Sequence, residues 1–274
     1  MKIDNSIYYS YNKVMTYNSM LNFIIGERGV GKTYGLTKFL IKRFLKKGKK
    51  FAYVRRYKTE LKSAVPKFFE KMIENNEFPN HEFSYSAGCF YIDDEICGYY
   101  MPLSNSMILK GNNFNDVDII LFDEFIIEKG TYHYLKNEVD VVLNLCETIS
   151  RLRDFKMFFL GNAISIANPY FSYFNLSLPY KSDIKTFKNG LILINYIKNE
   201  KYREIKRRSK FGQLVKGTPY EKHAIDNEFF RDSKSFVEKM HNSCKHIFVI
   251  VLNGQKYGCY YDSKTEKMYI SNKY

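Results

Sequence analysis

Apolar positions along the chain follow two periods. Four stretches are nearly unbroken: "MLNFII" at 20–25, "VDIILFDEF" at 117–125, "KMFFLGNA" at 156–163 and "GLILINYIK" at 190–198. Runs of this length with no alternation are expected of parallel strands buried on both faces. "FAYVRR" (51–56) is a shorter run of the same kind. Between them the spacing becomes helical. In "TYGLTKFLIKRFLKKGKK", Leu36, Phe39, Leu40 and Phe44 share one face, and the segment ends in lysines and Gly48, as a helix C-terminus does. "EVDVVLNLCETISRLR" predicts a second amphipathic helix, and "TELKSAVPKFFEKMIENN" a helix interrupted or begun by Pro66. "HEFSYSAGCFYIDDEICGYYMPL" alternates about Asp93, Asp94 and Glu95, which predicts a hairpin decorating the sheet. Strands alternating with helices predict an α/β fold with its site at the C-terminal ends of the strands.

The pattern changes after Asn199. "EKYREIKRRSKFGQLVKGTPYEK" is highly charged and broken by Gly212, Gly217 and Pro219, whereas "HIFVIVLNGQKYGCYYDSKTEKMYISNKY" predicts three short strands in a β-meander. The expected organisation is an α/β domain over 1–198, a helical linker over 199–235 and a small β-rich domain over 236–274.

Charge sharpens that division. The 274 residues carry 43 Lys and Arg against 29 Asp and Glu, a net +14. Up to Tyr180 the balance is only +4, while from Lys181 onward 20 cations face 10 acids, a net +10. A concentrated cation of this kind attracts phosphate polymers through counterion release, without sequence preference. The five cysteines are scattered and form no Cys-x-x-Cys pair, which predicts reduced thiols and neither a metal site nor a disulfide frame. No run approaches the roughly 20 apolar residues that span a bilayer, and "MKIDNSIYYSYNK" has no apolar signal core, so a cytoplasmic protein without a membrane partner is expected.

Chemistry enters at "GERGVGKTYG" (26–35), which reads Gly-x-x-x-x-Gly-Lys-Thr directly between a predicted strand and a predicted helix. Gly26, Glu27, Arg28, Gly29, Val30 and Gly31 would turn backbone N–H groups onto a β-phosphate. Lys32 would reach the β and γ oxygens, Thr33 would offer its hydroxyl to Mg²⁺, and Tyr34 follows at the helix start. Asp123 ends a buried strand, where a carboxylate can hold Mg²⁺, and Glu124 beside it is placed to polarise an attacking water. ATP hydrolysis is thus the expected chemistry; no Asn-Lys-x-Asp signature of guanine recognition is present.

Asn162, at the tip of "MFFLGN", is a candidate γ-phosphate sensor, though a plain Gly-Asn turn explains the same letters. Arg151 and Arg153 close a helix, where cations favour the dipole; either is alternatively an arginine finger reaching a neighbour's ATP, worth roughly 10³–10⁵ in rate. Arg55, Arg56, Lys58 and Lys110 are further DNA-facing or trans candidates, with solvated surface charge the commoner explanation. Tyr11 or Tyr17 is a candidate for stacking on the base.

Together, "GERGVGKT", "FAYVRRYKTEL", "DIILFDEF", "ISRLRDF" and "FFLGNAIS" resemble the DNA-packaging (encapsidation) ATPases of small protein-primed tailed phages, the Picovirinae type, over about residues 15–200. The resemblance implies a P-loop NTPase of the additional-strand, catalytic-glutamate division. It also implies a homopentameric ring at the portal (connector) vertex of an empty procapsid, in the host cytoplasm, moving double-stranded DNA by ATP hydrolysis, with a packaging RNA in several members. Carried onto this sequence it implies phosphate binding by Gly26 to Thr33, Mg²⁺ at Asp123, water activation by Glu124 and a trans arginine at Arg151. It further implies a C-terminal domain similar to RNase H-like nucleases but without the nuclease centre; the meander offers mainly Asp262 and Glu266, both in a turn. Two other classes compete: an assembly ATPase of the conjugation or filamentous-phage kind, and a non-hydrolytic nucleotide-dependent RNA-binding module.

Overall fold

The computed structural model describes residues 8–105, 114, 116–127, 132–163, 168–179, 182–218, 221, 240, 242–252 and 255–271. They fall in two units, Met1–Phe230 and Arg231–Tyr274. In the first, chain order runs α1 (Asn12–Thr16), β1 (Leu21–Gly26), α2 (Lys32–Lys47), β2 (Lys50–Arg55), α3 (Lys58–Ala64), α4 (Glu70–Glu74), β3 (Phe83–Ser86), β4 (Cys89–Ile92) and β5 (Glu95–Pro102). It continues through β6 (Val117–Asp123), α5 (Glu138–Ser150), β7 (Lys156–Asn162), α6 (Pro169–Phe174), β8 (Ile184–Phe187), β9 (Ile192–Tyr196), α7 (Glu200–Arg208) and α8 (Lys210–Val215).

Nine strands form one sheet in the order β3-β4-β5-β2-β6-β7-β1-β9-β8. From β5 to β9 every pairing is parallel, with antiparallel β3, β4 and β8 at the edges. The apolar runs account for this. All six residues of β1 are buried, as are the middle residues of β6 and β7, because successive side chains point to opposite faces and both faces are covered. On one face Phe23, Val54, Phe122 and Phe159 pack with Val142, Leu145 and Ile149 of α5 and Tyr170 of α6. On the other, Ile24, Tyr53, Leu121 and Phe158 meet Leu36, Leu40, Ile41 and Phe44 of α2. Each such buried side chain contributes about 1.5–3 kcal/mol. Helix α2 ends at Gly48 with φ 64°, its N–H donating to Phe44 O at 2.7 Å. Gly48 is thus the left-handed cap that its letter announces.

Two expectations need revision. The segment at 81–103 is two hairpins and not one, with turns at Ala87-Gly88 and Asp93-Asp94. Its last strand does not decorate the sheet but joins it, pairing parallel to β2; alternation along a strand says nothing about the direction of its second neighbour. The helix at 59–76 is interrupted around Pro66, as expected, giving α3 and α4. Finally α1, α6 and β8 have no counterpart in the sequence reading, being short and weakly periodic.

In the second unit β10 (Lys245–Leu252), β11 (Gln255–Asp262) and β12 (Lys267–Ser271) form an antiparallel meander. Asp262 is buried, accepting from Lys264 N and Thr265 Oγ1, both at 3.0 Å, so it organises its own turn. Cys97, Cys146 and Cys259 are buried and no cysteine is bonded to another. Burial pushes the Cys97 and Cys146 thiols up to about 12. Among the described residues no helix is long and apolar enough to cross a membrane.

Candidate active site

Because β1, β7 and β6 are neighbours in parallel, their C-terminal ends finish level: Gly26 is in register with Asn162, and Asp123 with Leu160. β7 is thereby inserted between the strand leading into the glycine loop and the strand carrying the acids, the arrangement of the additional-strand P-loop NTPases. A cleft of about 400 Å³ opens above these ends, lined by Tyr8, Lys32, Thr33, Asp123, Glu124 and Asn162 among others.

The loop is built as a phosphate cradle. Gly29 and Gly31 sit at φ 88° and 89°, a backbone conformation that side chains resist. Gly31 caps α2, so the helix N–H groups open onto the cleft. Val30 is fully buried and anchors the loop from beneath, its carbonyl accepting from Tyr9 N at 3.0 Å. The Lys32 ammonium donates to Gly26 O (3.0 Å), Glu27 O (2.7 Å) and Asn162 Oδ1 (3.1 Å). Thus Lys32 and Asn162, 130 residues apart, meet at one point.

Across the cleft, Thr33 Oγ1 donates to Asp123 Oδ1 at 3.3 Å and Tyr53 Oη to Asp123 Oδ2 at 3.4 Å. Burial raises the Asp123 carboxyl above its ordinary value, with Arg55 pulling the other way. A hydroxyl facing a desolvated carboxylate is a donor set that fits a small hard cation such as Mg²⁺. Thr33 and Asp123 are the residues that would hold it. Glu124 is half exposed and sits at φ 58° just beyond the strand.

Here the expectations for the arginines are overturned. Arg55 and Arg56, expected as surface or DNA-facing cations, are 8% and 1% exposed. Arg55 reaches Asp123 Oδ2 at 3.3 Å and Glu124 Oε2 at 2.8 Å, bridging both acids. Burial opposes its charge, but Asp123, Glu124 and Glu60 outweigh that and hold the guanidinium protonated above its ordinary value. Arg56 donates to Glu138 Oε2 (2.7 Å) and Oε1 (3.0 Å), to Glu124 O (3.2 Å) and to Phe125 O (2.8 Å). Tyr170 Oη and Leu135 N complete the shell of Glu138. A buried bidentate pair therefore clamps the backbone on which Glu124 stands. The doublet looked like a surface feature because periodicity cannot signal that arginines at a strand end turn inward onto acids far along the chain.

The remaining candidates separate. Arg28 and Tyr34 line the cleft, and Tyr34 Oη bonds Glu77. Glu27 contributes its carbonyl to the loop, but its side chain is buried on the opposite side against Arg203 at 2.6 Å. Tyr11 does not stack on a base: it is buried and donates to Lys32 O at 2.9 Å, under the loop. Tyr17 is exposed outside the cleft, and Tyr8 stands there instead, 6.2 Å from the Tyr34 ring. Arg153 caps α5, donating to Ile149 O (2.6 Å), Ser150 O (3.0 Å) and Phe114 O (3.0 Å). Arg151, exposed at φ 44° after α5, precedes β7 and is not among the residues that line its own chain's cleft. Lys58 is exposed at the start of α3, and Lys110 lies outside the described residues.

Comparison with known proteins agrees with the geometry. Over 259 residues the chain is 41% identical to a DNA packaging protein of Bacillus phage B103, covering 94% of this chain and 79% of that protein. It superposes on a chain of the bacteriophage Phi-29 viral genome packaging motor assembly with TM-score 0.72 and 38% identity, over 98% of this chain and 81% of that one. With the N-terminal domain of the DNA packaging ATPase from bacteriophage phi29 the TM-score is 0.64 at 39% identity, over 70% of this chain and 97% of that one. With residues 3–274 matched by the family of podovirus DNA encapsidation proteins, the chain belongs to that family.

Proposed function

We propose that this chain is the ATP-hydrolysing subunit of a ring motor that drives double-stranded viral DNA into a preformed procapsid. The observation that carries this is the meeting of the glycine loop, Lys32, Thr33, Asp123, Glu124 and Asn162 at one end of a parallel sheet, in a member of the podovirus DNA encapsidation family. The loop and Lys32 bind the triphosphate. Thr33 and Asp123 hold Mg²⁺, which when bound neutralises charge on the transferred phosphoryl group. Glu124 takes the proton from the attacking water, and Asn162, bonded to Lys32, is placed to register the γ-phosphate. Arg151 serves a neighbouring subunit's cleft, a reading supported by its exposure and its absence from the lining of its own. A homopentamer at the portal vertex, in the host cytoplasm and with a packaging RNA as partner, is the assembly that fits.

No nuclease step is included. Asp262, one of the acids the meander offers, accepts from Lys264 N and Thr265 Oγ1 and organises its own turn. The test is a nuclease-protection assay with purified procapsids, DNA, ATP and the full chain. Wild-type protein should protect DNA. Glu124→Gln should bind ATP as tightly but lose turnover by at least about 10²-fold and protect none. Unchanged hydrolysis in that variant would remove Glu124 from its role.

A further inference from the structure

The phosphate loop is also contacted by residues that do not line the cleft. In it the Glu27 side chain is fully buried, Oε1 accepting from Arg203 Nε at 2.6 Å. Its Oε2 has no hydrogen-bond partner among the described residues. Arg203 is held in turn by Glu200 at 2.7 Å, one helical turn earlier. Beside it, Tyr202 Oη donates to Arg28 O at 3.2 Å, and a Cβ at Gly29 would lie 2.4 Å from that oxygen. Helix α7 therefore touches three consecutive loop residues, Glu27, Arg28 and Gly29. Its start is fixed by Asn199, whose side chain accepts from Tyr202 N at 3.0 Å.

The loop motif leaves position 27 free, so phosphate binding does not call for an acid there. A buried carboxylate in a loop that must receive a polyanion opposes the ligand unless a cation cancels it. Arg203 supplies that cation. The Glu27 carbonyl, meanwhile, accepts from Lys32 on the cleft side. A triphosphate that engages Lys32 must draw this ammonium from the Glu27 carbonyl, while the same residue's side chain is held from behind by α7. We infer that Arg203, with Tyr202, is a positioning residue for the phosphate loop, and that the Glu27–Arg203 pair makes nucleotide occupancy and the seating of α7 a single equilibrium. The inference rests on ATP binding in this cleft. By reciprocity, whatever displaces α7 changes nucleotide affinity by the same factor.

Hydrogen exchange on the full chain, with and without Mg·ADP, tests this on segments 26–34 and 200–208. Both should slow together, and Arg203→Ala should weaken binding of a fluorescent ADP about tenfold, because it leaves the Glu27 carboxylate buried in the loop without its cation, with Arg203→Lys recovering most of it. Glu27→Ala combined with Arg203→Ala leaves no lone buried charge; it should bind ADP more tightly than Arg203→Ala alone while α7 no longer responds. Protection of the loop with no change in α7, or unaltered affinity in Arg203→Ala, overturns the inference alone. If ADP protects neither segment and does not bind, the nucleotide assignment falls and takes the inference with it.

Discussion

At the scale of single residues, buried charges organise this protein. Removing Arg56 leaves Glu138 uncompensated in the core, so Arg56→Met should cost about 3–5 kcal/mol. Pairing it with Glu138→Leu should cost clearly less than the sum of the single changes, as denaturant unfolding in a double-mutant cycle would measure. Glu27 gives a pH signature. Burial lifts its carboxyl above the ordinary 4.5, against the pull of Arg203. The folded chain then keeps this proton to higher pH than the unfolded chain, so stability is lost as pH rises from 4.5 through the raised value. Measured against Glu27→Gln, wild-type stability should therefore decline across that window and be flat on either side of it.

At the scale of elements, the strand ends set the chemistry. Gly161 lets β7 approach the turn after β6: a Cβ there would lie 2.7 Å from the Phe125 ring. Gly161→Ala should cost roughly 1–3 kcal/mol by overpacking, lower the denaturation midpoint and reduce turnover by shifting the backbone beside Glu124. Gly48→Ala meets no atom within 4 Å and should cost only the left-handed strain, about 1 kcal/mol. The unbroken runs of β1, β6 and β7 and the spacing of α2 are legible in the sequence, because burial on both faces and a 3.6-residue stripe leave direct marks there. β5's parallel pairing and the short α1, α6 and β8 left none, since neither depends on a local period.

For the whole molecule, the proposed ring makes a claim about Arg151. Arg151 is exposed and is not among the residues that line its own chain's cleft, and the proposed trans role can be tested directly. Mixing Arg151→Ala with Lys32→Ala protein should restore ATPase activity that each variant lacks alone, because some junctions then pair an intact cleft with an intact arginine. Mixtures no more active than their components would remove Arg151 from the hydrolytic site. The net +10 from Lys181 onward suits a polyphosphate partner.

The sequence by itself determined the α/β class, the glycine loop, the Asp123-Glu124 pair and the tip at Asn162, since each depends on local backbone conformation or on a short apolar run. Only the tertiary structure decided the fate of the arginines. Arg55 bridges the two acids, Arg56 clamps the turn beneath Glu124, Arg153 caps a helix and Arg203 holds the phosphate loop from behind. A guanidinium on a long side chain is compatible with solvent, helix end or core alike. Which it enters depends on acids and carbonyls distant in sequence that the fold brings within about 3 Å, and no local period records that.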